Sequence, residues 1–437
     1  MAKNTHPLAL VRAARGMTGV DLAREICAAA ERRGLRSGTT KQRVYKWEVD
    51  GVTPDRESQE YIAEVLGVPL ENVDVHSWPN WLPDVGVVPL GPVSTVPALQ
   101  EALRVSMDRS RRTVLSAISG TALITLAGAW AATDAWPEVT ERAQGKTIGE
   151  DLIVVLEETS ARLTALATQE RQHTAPLIDA HLATVTDLIA DGRYSPALGL
   201  RLHALAASLA QTVAWHRFDH GHHGEAGRFW IAGLHSAHAS GDRDMGAALL
   251  SDLAYQASWR NHPRTAARIL ERALTRTRHP AARSLLHLRL ARALAPQGER
   301  RATLRALSAA EHLLCVPAPD PVPSWCSWLS EADLAVDSGR CLLDLGDTTQ
   351  AHSLIADGQA LLPASRDKTR GVFLAYRAQG YLSRREPEAA AADALEALRL
   401  AERIGAPRCV QLVRDLTPGF ASYQTAAGVP ELLDAVG

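Results

Sequence analysis

Apolar residues in the N-terminal part of the chain recur every three or four positions, which predicts short helices separated by turns. The first predicted helix has its apolar face at Leu10, Val11 and Ala14. Gly16 ends this helix, and Thr18 to Asp21 has the pattern of a capping box, which begins a second helix. Gly34 and Gly38 are predicted to end the second helix. Its apolar stripe is formed by Leu22, Ala23 and Ile26.

A third helix is predicted over residues 41–48, with Thr40 as its N-cap. Val44 and Trp47 are three residues apart, so both face inward on the same side of this helix. The side chains that then face solvent are Lys41, Gln42, Arg43 and Lys46. Cationic and amide donors at the start of a short, anchored helix are what recognition of base edges in the major groove requires.

Residues 8 to 70 resemble the Cro/C1-type (XRE) helix-turn-helix family. The resemblance rests on VYKWEVDGVTPD at 44–55 and YIAEVLGVP at 61–69, which match the recognition helix, the acidic-Gly-Pro turn and the final helix of that family. It implies that Lys41, Gln42 and Lys46 contact bases. It also implies that Arg43 and the Thr40 cap lie nearer phosphates.

One stretch of this segment departs from the family pattern. Residues 28–39 are several residues longer than the usual tight turn between the two central helices, and the stretch contains Arg36, which we expect to contact phosphate. The charge along residues 1–75 is uneven. Residues 1–47 carry ten lysines and arginines and three acidic residues, whereas residues 48–75 carry one arginine and eight acidic residues. One basic and one acidic face of a small domain, here residues 1–75, would explain this distribution, as would two solvated helix surfaces.

Residues 76–110 are predicted to be an extended linker, because 76–100 contain five prolines and no lysine or arginine. Trp78 and Trp81 are expected to attach the start of this linker to the preceding domain.

Residues 111–160 are predicted to hold an apolar helix and a connecting helix. The uncharged stretch Thr113 to Thr133 is long enough to cross a bilayer, but its many Ala, Gly, Ser and Thr residues favour a helix buried among other helices.

From residue 161 to about 425 the chain repeats itself. Turn positions Gly221, Asn261, Gly298 and Gly346 recur, and helical patterns flank each of them. Three of these turns are followed five residues later by alanines, which let two helices approach closely: Ala226, Ala266 and Ala351. The pattern resembles a tetratricopeptide-type array, with Gly339, Leu342, Ala351 and Pro363 near the small, large, small and proline positions of that repeat. The predicted fold is therefore all-α, with an N-terminal helix-turn-helix domain and a tetratricopeptide-like superhelix.

Two groups of residues in the array are candidates for a metal site or a ligand-binding groove. The segment HRFDHGHHGE brings four histidines together with Asp219 and Glu225, which would suit zinc or nickel, but polar residues are also expected in an inter-helix turn, and we predict no metal. His235 and His238 are expected at the surface. Five tryptophans of the array either line an inner groove or form inter-repeat core, and we predict the core: Trp215, Trp230, Trp259, Trp325 and Trp328.

Composition limits the class of protein. The chain is 46% apolar, 5% aromatic and 22% charged, with a net charge of −2, which fits a helical globular protein without a general affinity for nucleic acid. Five scattered cysteines give neither a disulfide framework nor a zinc finger, so we predict a cytoplasmic location. No nucleophile elbow, phosphate loop or dinucleotide fingerprint is present, and we expect neither enzymatic activity nor a cofactor.

The combination of domains resembles actinomycete transcriptional regulators, some of which govern sporulation and secondary metabolism. The resemblance implies a homodimer that binds double-stranded DNA, with an array that receives a peptide, a small molecule or a partner protein. The alternative is an interaction scaffold, tethered to a membrane through Thr113 to Thr133, whose helix-turn-helix does not bind DNA.

Overall fold

The computed structural model describes residues 6–14, 17–66, 68, 70, 73, 75–79, 81–82, 88–91, 94–107, 118–134, 147–165, 168–318 and 320–437. Within these ranges the regular structure is helical, and the only β-type pairing is an isolated parallel bridge between Thr147 and Arg193. The predictions of an all-α fold and of a helical-repeat array are confirmed.

Four short helices form the N-terminal unit: α1 (Pro7–Ala14), α2 (Gly19–Arg32), α3 (Lys41–Glu48) and α4 (Arg56–Val65). Thr18 caps α2 in a complete capping box with Asp21, as the sequence predicts. Gly34 has a positive φ of 71°, which ends α2 in the left-handed conformation that glycine adopts without strain. The core of the unit draws on all four helices and includes Leu8, Leu22, Ile26, Val44, Trp47 and Ile62.

Three helices connect this unit to the array: α5 (Thr95–Met107), α6 (Gly120–Ala132) and α7 (Glu150–Ala165). The prediction of an extended linker was wrong for residues 95–107, because α5 is helical and its apolar side packs against the array, with Leu99 fully buried. The proline-rich composition that suggested a linker belongs mainly to the residues before α5.

The apolar stretch at Thr113 to Thr133 forms α6, although residues 113–117 lie outside the described part. Its buried residues include Leu126 and Trp130, and the Trp130 indole contacts the backbone at Gly246, so α6 is part of the packed array. None of the helices in the described ranges is both long and apolar enough to cross a membrane. Of the two roles weighed for this stretch, the structure supports burial.

The array consists of the helices α8 (Thr168–Asp191), α9 (Pro196–Asp219), α10 (His223–Ser240), α11 (Arg243–Trp259), α12 (Pro263–Leu274), α13 (Pro280–Leu294), α14 (Arg300–Leu314), α15 (Glu331–Asp344), α16 (Thr348–Leu361), α17 (Asp367–Ser383), α18 (Pro387–Ile404), α19 (Pro407–Arg414) and α20 (Val429–Val436). The most extensive contacts join α9 to α10, α11 to α12, α13 to α14, α15 to α16 and α17 to α18. The array is therefore built from consecutive helix pairs.

The turns inside these pairs lie where the sequence predicts them. Gly221, Asn261, Gly298 and Gly346 all have positive φ, between 60° and 84°, a conformation that glycine and asparagine tolerate. The three alanines predicted at helix crossings are fully buried. The close approach is clearest at Gly339, where an added Cβ atom would lie 2.7 Å from the carbonyl oxygen of Ala351. Small residues thus set the distance between paired helices.

Candidate functional site

The outer face of α3 carries the residues that the sequence assigns to DNA. Thr40 caps the helix, and its hydroxyl accepts a hydrogen bond from the Arg43 amide at 3.4 Å. The side chains of Lys41, Gln42 and Lys46 are exposed, and none makes a hydrogen bond or an ion pair with another described residue. A cation, an amide and a second cation therefore remain available for a ligand at the start and middle of this helix.

The opposite face of α3 is fixed in the core. Val44 and Trp47 are each 1% exposed, as predicted, and both belong to one core cluster with Ile26 and Ile62. At the C-terminal end of α3 the buried Glu48 accepts hydrogen bonds from Arg12 of α1 at 2.7 and 3.0 Å. This two-bond pair, together with the apolar contacts, holds α3 in a single orientation.

The arginines near α3 differ in the hydrogen bonds and ion pairs that they form. Arg36 is exposed and makes no hydrogen bond within the described residues, whereas Arg43 forms an exposed ion pair with Asp55 at 2.9 Å. Burial would raise the pKa of the Asp55 carboxyl, but hydrogen bonds from Ser58 and the charge of Arg43 hold it below its ordinary value. Arg32 and Arg33 both pair with Glu64 of α4. An exposed pair contributes little to stability, so Arg43 can exchange Asp55 for another anion at small cost.

The longer connection between α2 and α3 is tied back onto α2. The Cys27 thiol lies 3.4 Å from the carbonyl oxygen of Ser37 and 3.5 Å from that of Thr39, and the hydroxyls of Ser37 and Thr39 are 2.8 Å apart. These contacts hold the residues immediately before the Thr40 cap. The extra length of this connection therefore does not leave the start of α3 without support.

The tryptophans after α4 attach the following segment to the N-terminal unit, as predicted. The Trp81 indole is 2% exposed and donates a hydrogen bond to the Gln59 amide oxygen at 2.7 Å. Gln59 in turn donates to the carbonyl oxygens of Pro54 and Val75. Trp78 packs edge-on against Trp81, with ring centroids 5.6 Å apart.

The prediction that His235 and His238 lie at the surface was wrong. Both are buried in α10, because helices pack on each side of it. The Nε2 of His235 lies 2.9 Å from the Val88 carbonyl oxygen, and its Nδ1 lies 2.8 Å from the Ser94 hydroxyl. Burial lowers the pKa of His235 to about 4, and the hydrogen bond to Val88 offsets this only in part. A neutral imidazole therefore fixes the segment before α5 to the array.

The histidine-rich turn after α9 forms no metal-binding group within the described residues. Its Asp219 is instead held by two cations from the far end of the array, Lys368 of α17 and Arg408 of α19. His216 stacks on His220 with ring centroids 4.3 Å apart, and burial lowers the pKa of His216 to about 4. These partners of Asp219 lie far away along the chain, so no local sequence pattern predicts them.

The array has a partly open central cavity of about 1090 Å³. It is lined by helices from α9 to α19, and four of the five array tryptophans lie on its wall: Trp215, Trp259, Trp325 and Trp328. The prediction of a core position is correct for Trp230, which is fully buried. Trp215, Trp259 and Trp325 are partly buried and pack against core clusters as well as lining the cavity, and Trp328 is exposed. A curved array leaves a space on its inner side, so aromatic residues there face the cavity.

Charged residues of both signs alternate around this cavity. Asp252 of α11 accepts a hydrogen bond from Arg289 of α13 at 2.8 Å, and burial raises the pKa of the Asp252 carboxyl in spite of this partner. Arg292 of α13 lies 3.5 Å from Asp337 and 3.4 Å from Asp344, both on α15. These pairs join neighbouring repeats across the inner wall and make the cavity a polar site with aromatic surfaces.

Comparison with protein families finds a match to the N-terminal unit. Residues 8–78 match the family model described as the SP15 N-terminal domain. The matched span covers most of α1, all of α2 to α4, and the chain as far as Trp78. No curated protein matches the chain.

Proposed function

We propose that the protein is a sequence-specific DNA-binding transcriptional regulator whose helical-repeat array receives the regulatory ligand or partner. The observation that carries the proposal is the outer face of α3, on which Lys41, Gln42 and Lys46 are exposed and unengaged while Trp47 fixes the helix from behind. Lysine and glutamine donors on a rigid helix suit the acceptors that guanine and adenine present in the major groove.

The surroundings of α3 support contact with phosphates. Arg36 is exposed, and Arg43 is held only by an exposed pair with Asp55. Phosphate contacts position a recognition helix without adding sequence information, so these arginines would contribute affinity and the residues at 41, 42 and 46 would contribute preference. This division of roles follows the helix-turn-helix resemblance, with Thr40 as the cap nearest the phosphates.

We further propose that the regulator is a cytoplasmic homodimer. A single small module makes too few contacts for tight binding, whereas two copies of α3 on half-sites about 34 Å apart would double them. The five cysteines are all free thiols, which is typical of proteins in a reducing compartment.

The experiment that tests the proposal is selection from a randomised DNA library by the full chain. We expect the unmodified protein to enrich one sequence, and the triple variant Lys41→Ala, Gln42→Ala, Lys46→Ala to enrich none. The matched control is Arg24→Ala with Arg56→Ala, two exposed cations on α2 and α4 that pair with Asp21 and Glu60, and it should enrich the same sequence as the unmodified protein.

Failure of the folded, unmodified protein to enrich any sequence would contradict the proposal. It would favour the alternative of an interaction scaffold whose N-terminal helices do not bind DNA. Normal enrichment by the triple variant would show that another surface contacts the bases.

A further inference from the structure

We propose that the central cavity binds a small planar molecule that carries an oxyanion, either a carboxylate or a phosphate. The inference deepens the proposed function, because it rests on the assignment of the regulatory ligand to the array and names the chemistry of that ligand. The volume of about 1090 Å³ is at the upper end of the size range for small-molecule sites.

Two carboxylates of the cavity wall, Asp252 and Asp344, already have donors. In Asp252, one oxygen accepts from Arg289 and the other accepts from Gln211 and Trp215. In Asp344, Oδ1 lies 3.0 Å from Arg340 and Oδ2 lies 3.4 Å from Arg292. A cationic ligand would have to displace these arginines, so the acceptors on this part of the wall are not free to bind one.

The guanidinium groups of the same wall retain unused donors. Arg289 bonds through Nη1, to Ser251 and Asp252, and within the described residues no acceptor is found for its Nε and Nη2. Arg292 makes only long contacts with carboxylates, at 3.5 Å to Asp337 and 3.4 Å to Asp344, beside a hydrogen bond to the Cys341 thiol. A guanidinium carries five N–H groups, so donors exceed acceptors here. Because these two arginines are three residues apart on α13, they lie on the same face of the helix.

Tyrosine rings position these guanidinium groups. Arg289 lies 5.3 Å from the ring centroid of Tyr255, and Arg292 lies 5.3 Å from that of Tyr376. Two further arginines occupy the same rings, Arg408 at 5.6 Å from Tyr255 and Arg340 at 5.2 Å from Tyr376. Four arginines therefore lie over two aromatic rings of one wall, which limits the positions that their guanidinium groups can take.

Burial disfavours the charged form of two carboxylates at this wall. Burial raises the pKa of the Asp337 carboxyl more than the nearby Arg292 lowers it, and the same holds for Asp252 beside Arg289. The wall also includes the indoles of Trp325 and Trp328, which suit a planar ligand body, whereas Arg408 lies over those of Trp215 and Trp259. The oxyanion and the planar body are therefore both matched by groups of one cavity.

The test is isothermal titration of the full chain, without DNA, with four naphthalene probes of one shape. We expect naphthalene-1-carboxylate or 1-naphthyl phosphate to bind. The ratio of their dissociation constants shows which of the two oxyanions the cavity prefers. The neutral naphthalene-1-carboxamide and the cationic 1-naphthylmethylamine should bind at least about tenfold more weakly, since hydrogen bonds to a charged group are lost.

Arg289→Lys tests the unused donors, because lysine keeps the positive charge beside Asp252 and removes the planar fork. We expect it to weaken binding of the preferred anionic probe by about tenfold and to leave the carboxamide unchanged. Arg292→Lys should act in the same way. The matched control is Arg399→Lys, an exposed arginine of α18 paired with Glu431 outside the cavity, which should bind all probes as the unmodified protein does.

Three outcomes would overturn the inference. These are equal binding of carboxylate and carboxamide, preference for the cationic probe, and absence of binding by both anions at millimolar concentration to protein with normal helicity. Because no DNA is present, any of them leaves the DNA-binding proposal standing, and failure of DNA selection leaves anion binding standing.

Discussion

Arg408 of α19 lies 3.1 Å from the buried carboxylate of Asp219 at the end of α9, and so connects the last helices of the array to an early helix pair. Arg408 also donates to the Tyr255 hydroxyl at 2.9 Å, and Lys368 of α17 contacts the same Asp219 carboxylate. Burial alone would raise the pKa of Asp219, but these two cations hold it below its ordinary value. One carboxylate thus forms ion pairs with two cations from distant helices of the array.

Replacing Asp219 with alanine should destabilise the array strongly. The change leaves Lys368 and Arg408 buried without their shared anion, which typically costs about 3 to 5 kcal/mol. Urea unfolding of the full chain, followed by circular dichroism, measures the effect. The exposed Glu431, replaced by alanine, is the control and should change the free energy of unfolding by less than about 1 kcal/mol. Equal stability of the two variants would contradict a structural role for Asp219.

Replacing Trp47 with alanine should unfold the N-terminal unit and abolish DNA binding. Trp47 is 1% exposed, and truncation of a buried tryptophan costs about 3 to 5 kcal/mol, which is close to the whole stability of a small domain. Limited proteolysis should then cleave within residues 8–78 while the array resists. The neighbouring Tyr45 is 57% exposed, so Tyr45→Ala should leave this unit resistant to the protease. A folded Trp47→Ala protein that binds DNA would refute the packing described for α3.

Gln42 and Arg43 should differ in their effects on binding to the selected DNA. Gln42→Ala should weaken the binding free energy by about 1 to 3 kcal/mol and relax the sequence preference at one base pair. Arg43→Ala should weaken binding to all sequences alike and lower the salt dependence, because a phosphate contact is lost. Affinity measured on single-base variants of the selected DNA at several salt concentrations separates the two. Equal loss of preference in both variants would contradict the assignment.

His235 should make the folded chain less stable at low pH. Its pKa is about 4 when buried, below the ordinary value of 6.5, so below about pH 6.5 the unfolded chain binds a proton that the folded chain excludes. The free energy of unfolding then falls by up to about 1.4 kcal/mol per pH unit from this group, until the folded pKa is reached.

The matched variant is His235→Gln, which cannot be protonated. Between pH 7 and pH 5 its free energy of unfolding should fall by about 1 to 2 kcal/mol less than that of the unmodified protein. The control is His173→Gln, at an exposed histidine. The free energy of unfolding of this variant should depend on pH as that of the unmodified protein does. An unchanged slope in His235→Gln would show that this histidine does not titrate with unfolding.

The elements set by local physics were predictable from the sequence. The capping box at Thr18, the Thr40 cap and the bounds of α3 follow from side chains that bond to their own helix. The turns at Gly221 and Gly346 follow from the left-handed conformation. The matching turn at Arg385 was missed because arginine rarely adopts the positive φ of 63° found there.

Only the tertiary structure decided which surfaces each helix covers. Helix α6 could have been membrane-spanning by composition, and its burial depends on contacts with α11 and α12, whose sequences lie far from it. His235 is buried because Val88 and Ser94 fold over it, and Trp215 faces a cavity because the array curves. The pairing of Asp219 with Lys368 and Arg408 has the same origin. Helix periodicity reports which side chains share a face, but the neighbours of that face are fixed by packing between distant segments.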